Sequence, residues 1–150
     1  MPFKAYMEFR SFSAQETQQI GRELATHLRS GSIIALHGDL GAGKTTLMKG
    51  IATGLGVKSD ITSPTFTLLN IYQGGKYQVV HIDTYRLKDE KELIAIGAED
   101  FLGALDTICI IEWPEKISGL LRGRAIMDVT LEHLSEHERR ISYESSPKTS

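Results

Sequence analysis

Cysteine is almost missing from this 150-residue chain: Cys109 is the only one, which excludes any disulfide within it. It sits in the apolar run Ile108-Cys109-Ile110-Ile111, where an inert buried thiol is expected. An excess of positive charge is missing too. Seventeen Lys and Arg stand against nineteen Asp and Glu, and the formal net charge of −2 excludes a polybasic footprint for direct tight binding of nucleic acid. No apolar run approaches the roughly 20 residues of a membrane-spanning helix, and Met1-Pro2-Phe3-Lys4-Ala5 lacks the charged-then-apolar layout of a secretion signal. The expected location is therefore the cytoplasm, with no membrane contact. What the chain does have is 41% hydrophobic residues, enough at this length for one buried core. A single domain over 1–150 is expected, ending in a polar tail at about 144–150, with no internal repeat.

The rest is organised around Gly38-Asp39-Leu40-Gly41-Ala42-Gly43-Lys44-Thr45-Thr46, which fits the G-x-x-x-x-G-K-[ST] phosphate-loop pattern at every fixed position. Before it, Ser32-Ile33-Ile34-Ala35-Leu36-His37 reads as a short buried strand. After it, residues 45–55 carry Leu47, Met48, Ile51, Ala52 and Leu55 at helical spacing. Strand, glycine loop and helix together make the pattern a site. Glycines allow backbone N–H groups to converge on phosphate oxygens, and the helix N-terminus adds its positive end. Lys44 then neutralises phosphate charge and the Thr45 hydroxyl ligates Mg²⁺. The chain is expected to bind a nucleoside triphosphate.

Around this core, residues 5–12 predict an edge strand, and Ser13-Ala14-Gln15-Glu16 predicts a capping box. The helix it opens carries Ile20, Leu24 and Leu28 as a buried stripe and ends at Ser30-Gly31. Two alternating segments, 66–72 and 77–82, flank Gln73-Gly74-Gly75-Lys76 and predict a β-hairpin. Helices are predicted near 89–97 and 98–102, and a buried strand over 107–111 ends at Glu112-Trp113-Pro114. Residues 125–131 and 139–143 predict a final antiparallel pair. The fold class expected is α/β: a P-loop NTPase-like three-layer sandwich with a mixed, partly parallel sheet and an inserted β-hairpin.

A carboxylate at a strand end is needed to hold Mg²⁺. Two qualify: Asp83 after Val79-Val80-His81-Ile82, and Glu112 after Ile108-Cys109-Ile110-Ile111. Spacing alone favours Glu112, whose strand is the more uniformly apolar. The hydroxyl-rich segment 62–67 resembles a switch that could sense the γ-phosphate, and Arg86 is a candidate contact to phosphate or a partner. Trp113 reads as packing beside the site. His133-Leu134-Ser135-Glu136-His137 spells the H-x-x-E-H zinc pattern but lies between strand-like segments and reads as a polar turn. No Asn-Lys-x-Asp guanine reader occurs, and 150 residues leave little room for a kinase's substrate domain and lid.

Four blocks taken together are specific. The loop, Thr62-Ser63-Pro64-Thr65-Phe66-Thr67-Leu68, His81-Ile82-Asp83-Thr84-Tyr85-Arg86-Leu87 and Ile111-Glu112-Trp113-Pro114-Glu115 resemble, in order and spacing, the TsaE (YjeE) family. That family is the small bacterial ATPase of tRNA threonylcarbamoyladenosine (t6A) biosynthesis. The resemblance implies ATP and Mg²⁺ as cofactors and TsaD and TsaB as partners, which transfer threonylcarbamoyl to adenosine 37. It implies contact with tRNA only through that complex, and weak ATPase activity without it. By motif, Lys44 contacts phosphates, Thr45 and Glu112 hold Mg²⁺, and Asp83 orients or deprotonates the attacking water. Trp113 lies next to the site, and Ser13 and Thr17 lie where the family holds adenine. Two alternatives are a nucleotide-gated binding protein with negligible turnover and a small-molecule kinase.

Overall fold

The computed structural model describes residues 6–39, 41–62 and 68–146. Strands β1 (Tyr6–Ser11), β2 (Ile33–His37), β3 (Leu69–Gln73), β4 (Gln78–Asp83), β5 (Thr107–Glu112), β6 (Ile126–Ser135) and β7 (Glu138–Ser146) form one sheet in the order β1-β7-β6-β2-β5-β4-β3. Its middle is parallel: β2 pairs β5 on one side and β6 on the other, and β5 pairs β4. The outer strands β1, β7 and β3 are antiparallel to their neighbours.

The composition of β2 and β5 accounts for their central place. Ile33 to Leu36 and all six residues of β5 are buried, as a strand covered on both faces requires. Alternation divides them between two cores. Ile34, Leu36, Ile108 and Ile110 pack under helices α1 (Ala14–Ala25) and α2 (Lys44–Gly54), against Leu24, Leu47, Met48 and Ile51. Ile33, Cys109, Ile111, Val80 and Ile82 face the other way. There they meet Leu93 of α3 (Lys91–Ala95), Ala98 of a 3₁₀ turn, and Ile117, which precedes α4 (Ser118–Leu121). The result is helix, sheet, helix in three layers.

The hairpin is present, with β3 and β4 joined through the glycine turn in register Gln73↔Gln78. It is no appendage: β4 continues into the parallel middle and β3 forms the sheet edge. The capping box closes as read, Ser13 Oγ accepting from Glu16 N–H at 3.1 Å and Glu16 Oε1 from Phe12 N–H at 3.0 Å. Helix α1 stops at Ala25, short of Ser30, because Thr26, His27 and Leu28 turn to i−3 carbonyls; Leu28 is buried all the same. The predicted helix at 98–102 is the 3₁₀ turn Ala98–Phe101, started by left-handed Gly97 (φ 76°). Of the expected tail, 144–146 pair in β7, with Glu144 opposite both Tyr6 and Asp128. Residues 1–5, the switch segment beyond Thr62, the start of the first hairpin segment (66–67) and 147–150 lie outside the described residues. Among the described residues no helix is long and apolar enough to cross a membrane.

Candidate functional site

Four parallel strands end at the same edge of the sheet, and the phosphate loop leaves β2 there. Gly43 holds φ 104°, a left-handed conformation natural to glycine, and caps α2 without a side chain. Gly38 (φ 153°) runs against β6, where a Cβ would sit 3.0 Å from the Leu131 carbonyl oxygen. Thr45 is exposed at the first turn of α2 and Thr46 half-buried beside it. Leu40, the remaining loop residue expected to touch nucleotide, lies outside the described residues.

Lys44 is the unusual member. Its side chain is buried, and Nζ finds no hydrogen-bond partner among the described residues. It lies 3.9 Å from the centre of the Trp113 ring instead. A cation–π contact of this kind is worth about 0.5–2 kcal/mol, less than a buried ammonium loses with its water. A cation kept in that condition suits an anion that arrives later. Trp113 is held for the purpose in a strained backbone, φ 58°, one of two non-glycine residues with positive φ among those described. The buried Thr84 hydroxyl donates to the Glu112 carbonyl at 2.9 Å and to the Trp113 carbonyl, which fixes this turn. The Trp113 ring then meets that of Tyr85 at 5.2 Å.

Asp83 and Glu112 are direct neighbours across the β4–β5 pair. Their alternation puts both on the α2 side, with Val79, Ile108 and Ile110. Asp83 is partly buried, and its Oδ1 accepts from Tyr85 N–H at 3.0 Å. Glu112 is buried, and its Oε2 lies 2.6 Å from Nε2 of buried His81. With Gly41, Gly43, Lys44, Thr45, Thr46 and Trp113 the two acids line a cavity of about 390 Å³. The residues expected at phosphate and metal are thus brought together. They fit the group: a buried ammonium with no hydrogen-bond partner among the described residues and a glycine cradle suit phosphate, while one hydroxyl and two carboxylates are hard oxygen donors of the kind Mg²⁺ takes.

A smaller cavity of about 180 Å³ lies on the α1 side, lined by Phe12, Ser13, Thr17, Gly43, Thr46 and Arg139, among others. Both expected base-side hydroxyls reach it, and both are already engaged. Ser13 caps α1, and Thr17 Oγ1 lies 2.7 Å from buried Ser11 Oγ. A third cavity of about 620 Å³ opens over β2 and β6, between Asp39, Lys44 and Trp113 on one side and Glu132 and His133 on the other.

What sequence reasoning missed is where the β6–β7 pair docks. The expected terminal antiparallel pair is present, and β6 also pairs in parallel with β2 itself, Leu36 opposite Val129. That pairing carries Arg139 over the loop, where Nε donates to the Ala42 carbonyl at 3.2 Å. The H-x-x-E-H stretch straddles this hairpin, most of it in β6 rather than in a turn. His133 lines the cavity of about 620 Å³, while Glu136 and His137 line the one of about 180 Å³. Arg86 is exposed beyond Asp83.

The family model described as threonylcarbamoyl adenosine biosynthesis protein TsaE matches residues 11–141. The tRNA threonylcarbamoyladenosine biosynthesis protein TsaE of Treponema pallidum is 39% identical over 132 residues, 88% of this chain and 96% of that one. Its Bacillus subtilis namesake is 33% identical over 137 residues, 91% and 84%. The crystal structure of Bacillus subtilis YdiB superposes with a TM-score of 0.78 at 28% identity, covering 98% of this chain and 90% of that one.

Proposed function

The chain belongs to the TsaE family of threonylcarbamoyl adenosine biosynthesis proteins, and on that premise we propose that it is a Mg²⁺-dependent ATPase of t6A formation, acting with TsaD and TsaB in the cytoplasm. One observation carries the reading: the buried Lys44 ammonium without a hydrogen-bond partner among the described residues, at the head of a cavity that also holds Thr45, Asp83 and Glu112.

In this reading the loop amides and Lys44 bind the β- and γ-phosphates of ATP. The Thr45 hydroxyl and Glu112 carboxylate would hold Mg²⁺, which when bound supplies charge neutralisation on the phosphate oxygens. Asp83, one oxygen fixed by Tyr85 N–H, accepts a hydrogen bond from the attacking water and orients it toward the γ-phosphorus. Water adds to phosphorus, the bond to the β-phosphate oxygen breaks, and ADP, inorganic phosphate and a proton leave. Trp113 covers the site, and the Phe12–Ser13–Thr17 cavity receives the base. With a net charge of −2, tRNA is reached through the TsaD–TsaB complex rather than directly.

Among the described residues Lys44 is the one cation lining the cavity of Thr45, Asp83 and Glu112, and Arg139 lines the α1-side cavity instead. Activity alone is therefore slow and rises when the partners bind. The test is ATP hydrolysis with Mg²⁺, alone and with TsaD and TsaB, with Lys44→Ala as control. Stimulation of tenfold or more that Lys44→Ala abolishes is expected. Tight ATP binding with no stimulated turnover would instead make this a nucleotide-gated binding protein.

A further inference from the structure

His81 has no part in the reading above, and its surroundings are those of a group placed for a purpose. It sits on β4 opposite Ile110, two residues before Asp83, and is only 2% exposed. Its Nε2 lies 2.6 Å from Oε2 of Glu112, which is 6% exposed. An ionised carboxylate only accepts, so Nε2 carries the proton and donates. Nδ1 is then left buried, with no partner among the described residues. A packing role does not explain this, because an apolar side chain would fill the same volume without an orphaned nitrogen. A hydrogen bond to Glu112 does.

We infer that His81 is a positioning residue for Glu112: by holding Oε2 it leaves Oε1 alone for the cavity that Glu112 shares with Thr45, so that the carboxylate offers Mg²⁺ one fixed oxygen rather than a rotating pair. The inference rests on the Mg²⁺ site proposed above. The energetic reason is general. A ligand locked by a hydrogen bond behind it loses little rotamer freedom on binding, and removing such a partner weakens metal affinity about 10–100-fold. The geometry also separates two jobs at one strand end. Thr84 fixes the backbone at Glu112 and Trp113, and His81 fixes the side chain.

The experiment is calorimetric titration of a non-hydrolysable ATP analogue into the full chain across a Mg²⁺ series and in EDTA. His81→Phe should raise the half-saturating Mg²⁺ concentration about tenfold or more. Its affinity in EDTA should stay unchanged, since Lys44 and the loop are untouched. His81→Gln, whose carboxamide nitrogen takes the place of Nε2, should return the Mg²⁺ curve most of the way to wild type. A wild-type curve in His81→Phe, or an equal loss in His81→Gln, overturns the inference. If His81→Phe does not fold, His81→Asn replaces it; its shorter amide falls short of Glu112, so a normal curve there is equally fatal. Glu112→Gln separates the two levels. If its curve does not move, or if wild-type affinity is the same in EDTA, the Mg²⁺ site itself is wrong and the inference falls with it. If Glu112→Gln loses Mg²⁺ dependence while His81 variants keep it, only the positioning role is wrong.

Discussion

At the scale of single residues, Lys44 is where stability and function pull apart. Burying an ammonium without a hydrogen bond costs stability, and the Trp113 ring returns only part of it. Lys44→Met keeps the stem and removes the charge. The nucleotide-free protein should therefore become more stable by about 1 kcal/mol, a rise in Tm of roughly 2–4 °C for a chain of this size. ATP affinity should fall by two orders of magnitude or more, as loss of a charge-assisted contact of about 1.5–3 kcal/mol at each of two phosphates implies. Thermal unfolding with and without ATP reads both; a destabilised Lys44→Met would mean the cation is better satisfied than its geometry indicates. Cys109 gives a second residue-scale expectation. Burial pushes its thiol from the ordinary 9.0 up to about 12, so the folded protein keeps a proton that the unfolded chain releases above pH 9. The folded state binds more protons in that window, so this group's contribution to stability is intact below pH 9 and declines as pH rises toward 12. Thiol reagents at pH 8 should label the native chain far more slowly than the urea-unfolded one, and Cys109→Ala should flatten the alkaline slope of stability.

At the scale of elements, local signals were legible wherever the chain's own pattern decided the structure. The loop and α2, the all-apolar β5, the glycine turn between β3 and β4, and the capping box of α1 each follow from residues within a few positions of one another. Where the decision lay elsewhere, sequence reading ran out. The i−3 turns that stop α1 at Ala25 leave Leu28 buried, so the stripe gave no sign of the stop. The contact between α1 and α2 is another case. A Cβ on Gly50 would come within 2.2 Å of the Gln18 carbonyl oxygen, and one on Gly21 within 2.7 Å of that of Leu47. Glycine is a weak helix residue by propensity; these two are there because two backbones touch. Gly50→Ala gains about 1 kcal/mol in helix propensity but forces the helices apart, and overpacking of this kind costs about 1–3 kcal/mol. A net loss is expected in urea unfolding. ATP affinity should drop as well, because α1 and the turn that opens it bring Phe12, Ser13 and Thr17 to the loop on that same contact. Unchanged stability would mean that the helices slide freely.

At the scale of the whole molecule, the site is assembled by pairings between distant parts of the chain. Asp83 meets Glu112 because β4 and β5 are parallel neighbours, and period-2 alternation alone cannot reveal which strand lies beside which. His81 and Glu112 could have been paired from parity once that neighbour was known. The same limit hid the pairing of the β6–β7 hairpin with β2, although the hairpin itself was legible from its alternation. Its consequence is Arg139, ninety-seven positions from the loop carbonyl it binds and with no motif of its own. Arg139 Nε holds Ala42, while Nη1 reaches the Ser135 and Glu138 carbonyls, so the guanidinium ties the hairpin tip to the phosphate loop. Charged donors to neutral carbonyls contribute about 1.5–3 kcal/mol when buried and less when half-exposed, as here. Arg139→Ala should therefore weaken ATP binding about five- to tenfold by loosening the loop and removing positive charge beside it. The Mg²⁺ concentration at half-saturation should not move, since Thr45 and Glu112 lie in the other cavity. Arg139→Lys should recover the charge but not the fork that bridges three carbonyls, and so should restore affinity only in part. If Arg139→Ala binds ATP as the wild type does, the hairpin only completes the sheet; if the Mg²⁺ dependence shifts with it, the two cavities are one coupled site.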